Sequence, residues 1–201
     1  MRQVFQLIKA ATKKADVPLL EQWFTDYQSM PLPDVASTRN FTPADYSARL
    51  KAFNQLHDWH SHNMHPCFPQ LLGLSQHIGA LSHANSPFSL IGLVHVDNEI
   101  RQYQPLSNEE LCLQCYFNNI TPHQYGIQVD VNIKVNQGGK HCQTVSSTYL
   151  YRLPSVDILS TRTKSDSAVT HAALTPLPEH SQLQFKPGVG RRYARISGDY
   201  N

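Results

Sequence analysis

Over residues 125–136 apolar and polar positions alternate without a break. Ile127, Val129, Val131, Ile133 and Val135 stand against Gln128, Asp130, Asn132, Lys134 and Asn136. A period of two puts each set on its own face of a β-strand, so one face meets a core and the other meets water. Gln137-Gly138-Gly139-Lys140 supplies a glycine-rich hairpin turn. Residues 141–153, rich in Thr, Val and Tyr, return as the next strand. Upstream, Leu93-Val94-His95-Val96 and Ile100-Arg101-Gln102-Tyr103 read as strand, bulge or turn, strand. Residues 111–118 read as a further strand, turned at Thr121-Pro122-His123.

Before residue 90 the period is helical. Thr42-Pro43-Ala44-Asp45 is a helix start, with Thr as N-cap, Pro at the first helical position and Asp in the first turn. Tyr46, Leu50, Phe53 and Leu56 or His57 come next at helical spacing, which predicts a helix to about Trp59. Residues 69–83 are predicted as a long central helix carrying Leu71, Leu72, Leu74, Ile78 and Leu81, with Gly73 and Gly79 allowing close approach. Apolar residues surround much of it, as expected of a helix wrapped by a sheet. Residues 1–14 read as a short helix with Val4, Phe5, Ile8 and Ala11 near one face; Pro18, Pro31 and Pro33 break residues 15–40 into short pieces. Residues 154–185 read as a linker rich in Ser, Thr and Pro, within which Gln182-Leu183-Gln184-Phe185 is a strand candidate. A helix followed by consecutive antiparallel strands is an α+β pattern that fits several folds.

Composition narrows the class. Of 201 residues, 40% are hydrophobic and 16% charged, values that exclude wholesale disorder. A formal net charge of +2 is too small to make nucleic acid or an anionic membrane the main partner. Eleven histidines raise that charge steeply below about pH 6.5. No run approaches about 18 consecutive apolar residues, so no transmembrane helix is expected. The apolar run at the N-terminus is too short and interrupted for a signal peptide, which predicts a cytoplasmic protein.

Cys112 and Cys115 form a C-x-x-C, but on a strand positions three apart face opposite ways, and no second pair completes a zinc site. With Cys67 and Cys142 they are expected as free, buried or half-buried thiols. His57, His60, His62 and His65 have spacing that could bind a metal, yet only Asp58 adds a ligand; a solvated loop is the expectation. His77, in mid-helix, is a core or tunnel-lining residue rather than a catalytic one. No metal and no cofactor are expected.

Residues 190–201 are, by their chemistry, a polar turn with one carboxylate. The segment Arg192-Tyr193-Ala194, two residues, then Ser197-Gly198-Asp199-Tyr200-Asn201 nevertheless resembles the signature of MaoC-like dehydratases, the (R)-specific enoyl-CoA hydratase group of the hotdog fold. That signature reads Y-A-x-x-S-G-D-x-N-P-[ILV]-H. His65-Pro66-x-Phe68-Pro69, Leu90-Ile91-Gly92-Leu93-Val94-His95-Val96-x-Asn98-x-Ile100 and Arg101-x-x-x-Pro105-Leu106 resemble, more loosely, the N-terminal halves of two-hotdog members. The resemblance implies an α+β hotdog fold, an antiparallel sheet wrapped around a central helix. Residues 1–155 are then a non-catalytic N-terminal hotdog, 156–181 a linker and 182–201 the beginning of a C-terminal hotdog. The match stops before the Pro, the aliphatic residue and the His. The resemblance therefore implies a motif cut short, a chain inactive alone, and residues 160–201 loosely packed.

The implied chemistry is reversible syn hydration of a trans-2-enoyl thioester by an Asp/His pair, as in fatty acid metabolism. Asp199 takes the carboxylate role, a base if burial lifts its pKa toward neutrality. Gly198 lets backbone and ligand come close. Asn201 pins the loop by local hydrogen bonds, and Tyr193 and Ser197 complete the motif. The enolate oxygen is held, in the family, by N–H groups of a helix that comes after the His. Leu71, Leu74, Ile78 and Leu81 read either as plain core or as the wall of an acyl tunnel. Arg191, Arg192 and Arg195 either meet the phosphates of coenzyme A or an acyl carrier protein surface, or form a solvated basic patch. Two other readings stand beside this one. One is a non-catalytic hotdog that binds acyl thioesters or dimerises with a catalytic partner. The other is a hotdog thioesterase, for which Asp97 and Glu99 are the nearest carboxylates. Hotdog sheets pair edge to edge, so a homodimer is expected where no second half is present.

Overall fold

The computed structural model describes residues 12–153 and 187–198. The first element lying wholly within the described residues is helix α1 (Val17–Asp26), whose start is capped by the Asp16 carboxylate accepting from the Leu19 N–H at 3.1 Å. The sequence pattern made Pro18 a break, whereas it sits in the first turn, where the missing N–H costs nothing and φ is already helical. Leu20 and Trp23 bury one side of α1. A short strand, β1 (Ser37–Phe41), was not expected from the sequence, because polar Ser37-Thr38-Arg39-Asn40 carries no alternating pattern.

Helix α2 (Pro43–His57) begins where its cap signals place it. The Asp45 carboxylate accepts from both the N–H and the hydroxyl of Thr42, each at 2.8 Å. These bonds hold its pKa below the ordinary carboxylate range. Tyr46, Leu50 and Phe53 form the buried face, and the helix ends on Asp58 in the left-handed conformation, φ 54°. Helix α3 (Phe68–Leu81) is the central helix, with Phe68, Leu71, Leu72, His77, Ala80 and Leu81 buried. Beyond its C-terminus the Lys13 ammonium donates to the carbonyls of His83 (2.7 Å) and Ser86, placing a cation where unpaired carbonyls gather.

Four long strands come next: β2 (Leu93–Gln102), β3 (Leu111–His123), β4 (Gly126–Gln137) and β5 (Lys140–Arg152). The sheet order is β1-β3-β4-β5-β2 and every pairing is antiparallel. The interruption expected near Val96 is a bulge within one strand, between His95 and Asp97. The turn expected at Thr121-Pro122-His123 lies two residues later. Pro122 pairs with Ile127 and His123 with Gly126, so β3 runs on through the proline. Gly126 suits the turn because any Cβ there would lie 2.1 Å from the Tyr151 carbonyl oxygen.

The apolar set of the alternating strand is buried as its pattern requires, but the polar set is not simply in water: Gln128, Asp130 and Lys134 are half-buried and Asn132 is buried. Ile127, Val129, Val131, Ile133 and Val135 are fully buried. Helix α3 lies close on this face: a Cβ on Gly73 would sit 2.1 Å from Ile133 Cδ1. All four cysteines are free; Cys112 is half-buried and Cys115 and Cys142 are buried, but Cys67, expected to be covered, is exposed just before α3. Burial pushes the Cys115 thiol up to about 12, so it stays protonated and inert.

The segment expected to be a polar turn is instead helix α4 (Val189–Ser197). It starts after Gly188 and ends on Gly198, both left-handed, so two glycines bracket a helix that its polar composition hid. The short helix expected over residues 1–14 falls mostly outside the described residues. So do the 156–181 linker, the strand candidate over 182–185, Asp199 and Asn201. Among the described residues no helix is long and apolar enough to cross a membrane.

Candidate active site

Helix α4 carries the first half of the dehydratase-like motif and packs against α2 and the start of α3. Two contacts fix it. Tyr193 stands edge-on to the His57 ring, centroids 6.2 Å apart. At the C-terminal end the Arg49 guanidinium reaches from α2: Nε donates to the Ile196 carbonyl and Nη2 to the Ser197 carbonyl at 2.6 Å. The same Nη2 donates to the Leu71 carbonyl on α3 at 3.1 Å. Burial pulls the Arg49 pKa down, and Tyr193 opposes that pull; an arginine keeps its charge under such conditions. The Gly198 N–H closes the helix on the Ala194 carbonyl at 2.8 Å.

Ser197 is buried, while Arg191, Arg192, Tyr193 and Arg195 face solvent. Of the tail expected to pack loosely, the described residues 187–198 are exposed along their outer side and held at their last turn. Asp199 and Asn201 come next in the chain and lie outside the described residues. Of the expected acyl-wall positions, Leu71 and Leu81 are buried and Leu74 and Ile78 half-buried. Leu71 is brought to the motif through its carbonyl, by way of Arg49.

Two members of the histidine cluster, His57 and His65, join an aromatic patch, whereas His60 and His62 are exposed. His57 packs on Phe53 at 4.1 Å, with its Nδ1 2.9 Å from the Phe53 carbonyl. His65 meets Phe53 at 5.3 Å and Trp59 at 4.6 Å. Burial, and then the neighbouring His57, lower the His65 pKa. His60 pairs with Asp58 at the surface, 2.8 Å apart. Among the described residues no group of three His, Cys, Asp or Glu is placed to hold a metal.

Between α3 and the β2–β5 edge lies a polar seam of which the sequence pattern marked only part. Gln70 and Asn98 exchange amide bonds at 2.8 and 3.2 Å, and the Ser147 hydroxyl donates to Asn98 at 2.8 Å. Further along, His77 Nδ1 lies 3.1 Å from the Tyr149 hydroxyl, and His95 stacks on the Tyr149 ring at 4.8 Å. Burial first, and then His95, push the His77 pKa down to about 4. Asp97 and Glu99 are exposed on β2, and Glu99 is held by Arg101 at 2.7 Å. A cleft of about 290 Å³ opens beside α2, lined by residues that include Ser47, Lys51, Asn54 and Trp59. None of the expected acyl-wall or motif residues lines it. Arg49, Gln70 and Ser147 carried no sequence signal, since none falls in a motif; of that chain only Asn98 stood in a stretch resembling the family.

A five-stranded antiparallel sheet laid over one central helix is the architecture of the hotdog fold, and this chain adopts it. Solved structures of HtdX from Mycobacterium tuberculosis match it with TM-scores of 0.59 and 0.55 at 20% and 21% identity. The matches cover 82% and 77% of this chain and 62% and 60% of theirs. A curated relative, 3-hydroxyacyl-thioester dehydratase X of Mycobacterium tuberculosis, is 26% identical over 117 residues, 57% of this chain and 40% of that protein. The chain thus spans less than two thirds of the length of these relatives. No protein-family model matches.

Proposed function

We propose that this chain belongs to an acyl-thioester hydratase/dehydratase of the MaoC-like kind, with residues 1–155 as its non-catalytic hotdog and the motif helix opening the catalytic one. The observation that carries the reading is the form of the motif. Tyr193-Ala194 lies on a helix that ends at Ser197 and is capped by left-handed Gly198, and Asp199 is the next residue of the sequence. The likeness to a protein named as a 3-hydroxyacyl-thioester dehydratase supports the same reaction class.

In this reading the Asp199 carboxylate takes a proton from water as its oxygen adds to C3 of the enoyl thioester. A proton is delivered to C2, and the reverse sequence dehydrates the 3-hydroxyacyl thioester. The histidine that completes the pair in the resembled family has no motif counterpart within residues 1–201. Leu71, Leu74 and Ile78 offer apolar wall to the acyl chain, and exposed Arg191, Arg192 and Arg195 offer cations to the phosphates of coenzyme A or to an acyl carrier protein. Edge strand β2 bares Val94 and Val96, with Ile91 and Tyr103 nearby, which supports pairing with a second hotdog sheet.

The test is to incubate the protein, as its gene encodes it, with a series of trans-2-enoyl-CoA thioesters and monitor gain of one water by mass. Formation of 3-hydroxyacyl-CoA is the expected result. Binding of the thioesters with no product would replace this reading with the acyl-binding module.

A further inference from the structure

The cleft beside α2, of about 290 Å³, belongs neither to the motif nor to the acyl wall. Ser47, Lys51, Asn54 and Gln55 supply one wall, at helical spacing along a different side of α2 from Arg49 and His57, which hold α4. The end of α2 folds back to complete it. Asp58 takes the left-handed conformation, φ 54°, and the Trp59 N–H returns to the Asn54 carbonyl at 2.9 Å. The indole is then fixed by its edge, Nε1 donating to the Asn63 carbonyl at 2.9 Å, and by the His65 ring. Asn108 closes the cleft from the β2–β3 connection, which is pinned on either side. Gln137 exchanges bonds with Ser107 at 2.9 and 3.1 Å, and the Tyr46 hydroxyl donates to the Glu109 carbonyl at 2.6 Å.

The lining is chemically selective. Lys51 brings an ammonium, and His60 an imidazole whose Nε2 is taken by Asp58 at 2.8 Å, leaving Nδ1 for another partner. Among the described residues no carboxylate lines the cleft. Asn54 and Asn108 bring primary amides, and the Asn54 Oδ1 is enclosed without a partner, a cost that stands until a donor reaches it. An indole offers a planar ligand a stacking plate. An asparagine amide matches the adjacent donor and acceptor of an adenine edge, and an ammonium matches a phosphate. A neutral sugar would use the indole and the amides but leave Lys51 and His60 idle. We propose that this cleft binds an adenine nucleotide, its base against Trp59 and the Asn54 amide and its phosphate at Lys51 and His60. The nucleotide is either free or the adenosine bisphosphate end of coenzyme A, since the groups recognised are the same. Binding needs neither turnover nor the motif, so it stands apart from the hydratase/dehydratase reading.

The experiment titrates the whole encoded protein calorimetrically with AMP, ATP, adenosine 3′,5′-bisphosphate, coenzyme A, adenosine and, as a neutral sugar, maltose. It compares wild type with Lys51→Ala, Trp59→Ala, Trp59→Phe and Lys14→Ala. Wild type is expected to bind at least one of the nucleotides saturably. Trp59→Ala weakens that binding roughly 10- to 100-fold, and Trp59→Phe recovers part of it because an aromatic plate remains. Lys51→Ala weakens the nucleotides roughly 10-fold and leaves adenosine unchanged. Lys14→Ala, an exposed lysine outside the cleft, matches wild type. The bisphosphate competing with coenzyme A and binding more tightly than AMP would support the thioester carrier as the source. AMP or ATP binding undisturbed by coenzyme A would support a free nucleotide. If Trp59→Ala does not fold, the split between nucleotides and adenosine in Lys51→Ala decides. No saturable nucleotide binding, binding indifferent to both Lys51 and Trp59, or binding of maltose alone would each overturn the proposal.

Discussion

His77 should make the fold acid-sensitive in a defined window. Its side chain is 2% exposed, wedged between α3 and β5, and its Nε2 has no hydrogen-bond partner. The one polar contact of the ring, between Nδ1 and the Tyr149 hydroxyl at 3.1 Å, is satisfied by a neutral imidazole. An imidazolium in that place would lose its water and gain nothing negative in return, and His95 adds a like charge. The pKa therefore falls from 6.5 to about 4. Linkage sets the sign. Above pH 6.5 both folded and unfolded chains hold His77 neutral, and its contribution to stability is fully present. As pH drops toward 4 the unfolded chain takes up a proton that the native state refuses, so stability is lost. At about 1.4 kcal/mol per pH unit, the loss across this window is roughly 3 kcal/mol. That is a large part of a typical stability of about 5–15 kcal/mol. Urea unfolding of wild type and His77→Gln between pH 7.5 and about 4 measures it. The glutamine cannot titrate but can still hydrogen-bond to the Tyr149 hydroxyl. At neutral pH the variant should be the less stable protein, and by about pH 4 it should have gained roughly 3 kcal/mol relative to wild type. A stability difference that stays constant across the window would refute the reasoning.

The packing makes three further perturbations informative. Gly73→Ala forces a methyl group against Ile133 Cδ1 and should cost about 1–3 kcal/mol, read as a lower thermal midpoint; an unchanged midpoint would mean that α3 does not sit this close to the sheet. Lys13→Met removes the ammonium from the carbonyls of His83 and Ser86 and should cost about 1–2 kcal/mol in urea unfolding, with no loss if those carbonyls are served by water instead. In native protein a thiol reagent should label exposed Cys67 quickly and reach buried Cys115 and Cys142 only on unfolding; rapid labelling of Cys115 would contradict the strand facing.

How much of this was legible in the sequence depended on whether a residue's role was local. The β4 alternation, the Gly138-Gly139 turn, the Thr42-Pro43 helix start and the central helix all announce themselves, because period and cap chemistry act over a few residues. Pro18 misled because a proline marks a helix start as readily as a break, and only Asp16 before it distinguishes the two. The Pro122 turn was misplaced because Gly126, not the proline, satisfies the tight approach to Tyr151. Helix α4 was hidden by its polar composition: it is a surface helix fastened from outside, by Arg49 and His57. Arg49 itself could not be read from sequence, since its partners lie 22 to 148 residues away. The motif spelling pointed to Asp199, whereas the contact that holds the helix before it is a tertiary feature.

The most direct measurement is turnover of trans-2-enoyl-CoA by the encoded protein, wild type against Asp199→Asn. If Asp199 is the base, wild type converts the enoyl thioester to its 3-hydroxyacyl product and the variant is slower by about 10²-fold or more, with its fold intact. Equal rates in the two proteins would contradict the assignment of Asp199.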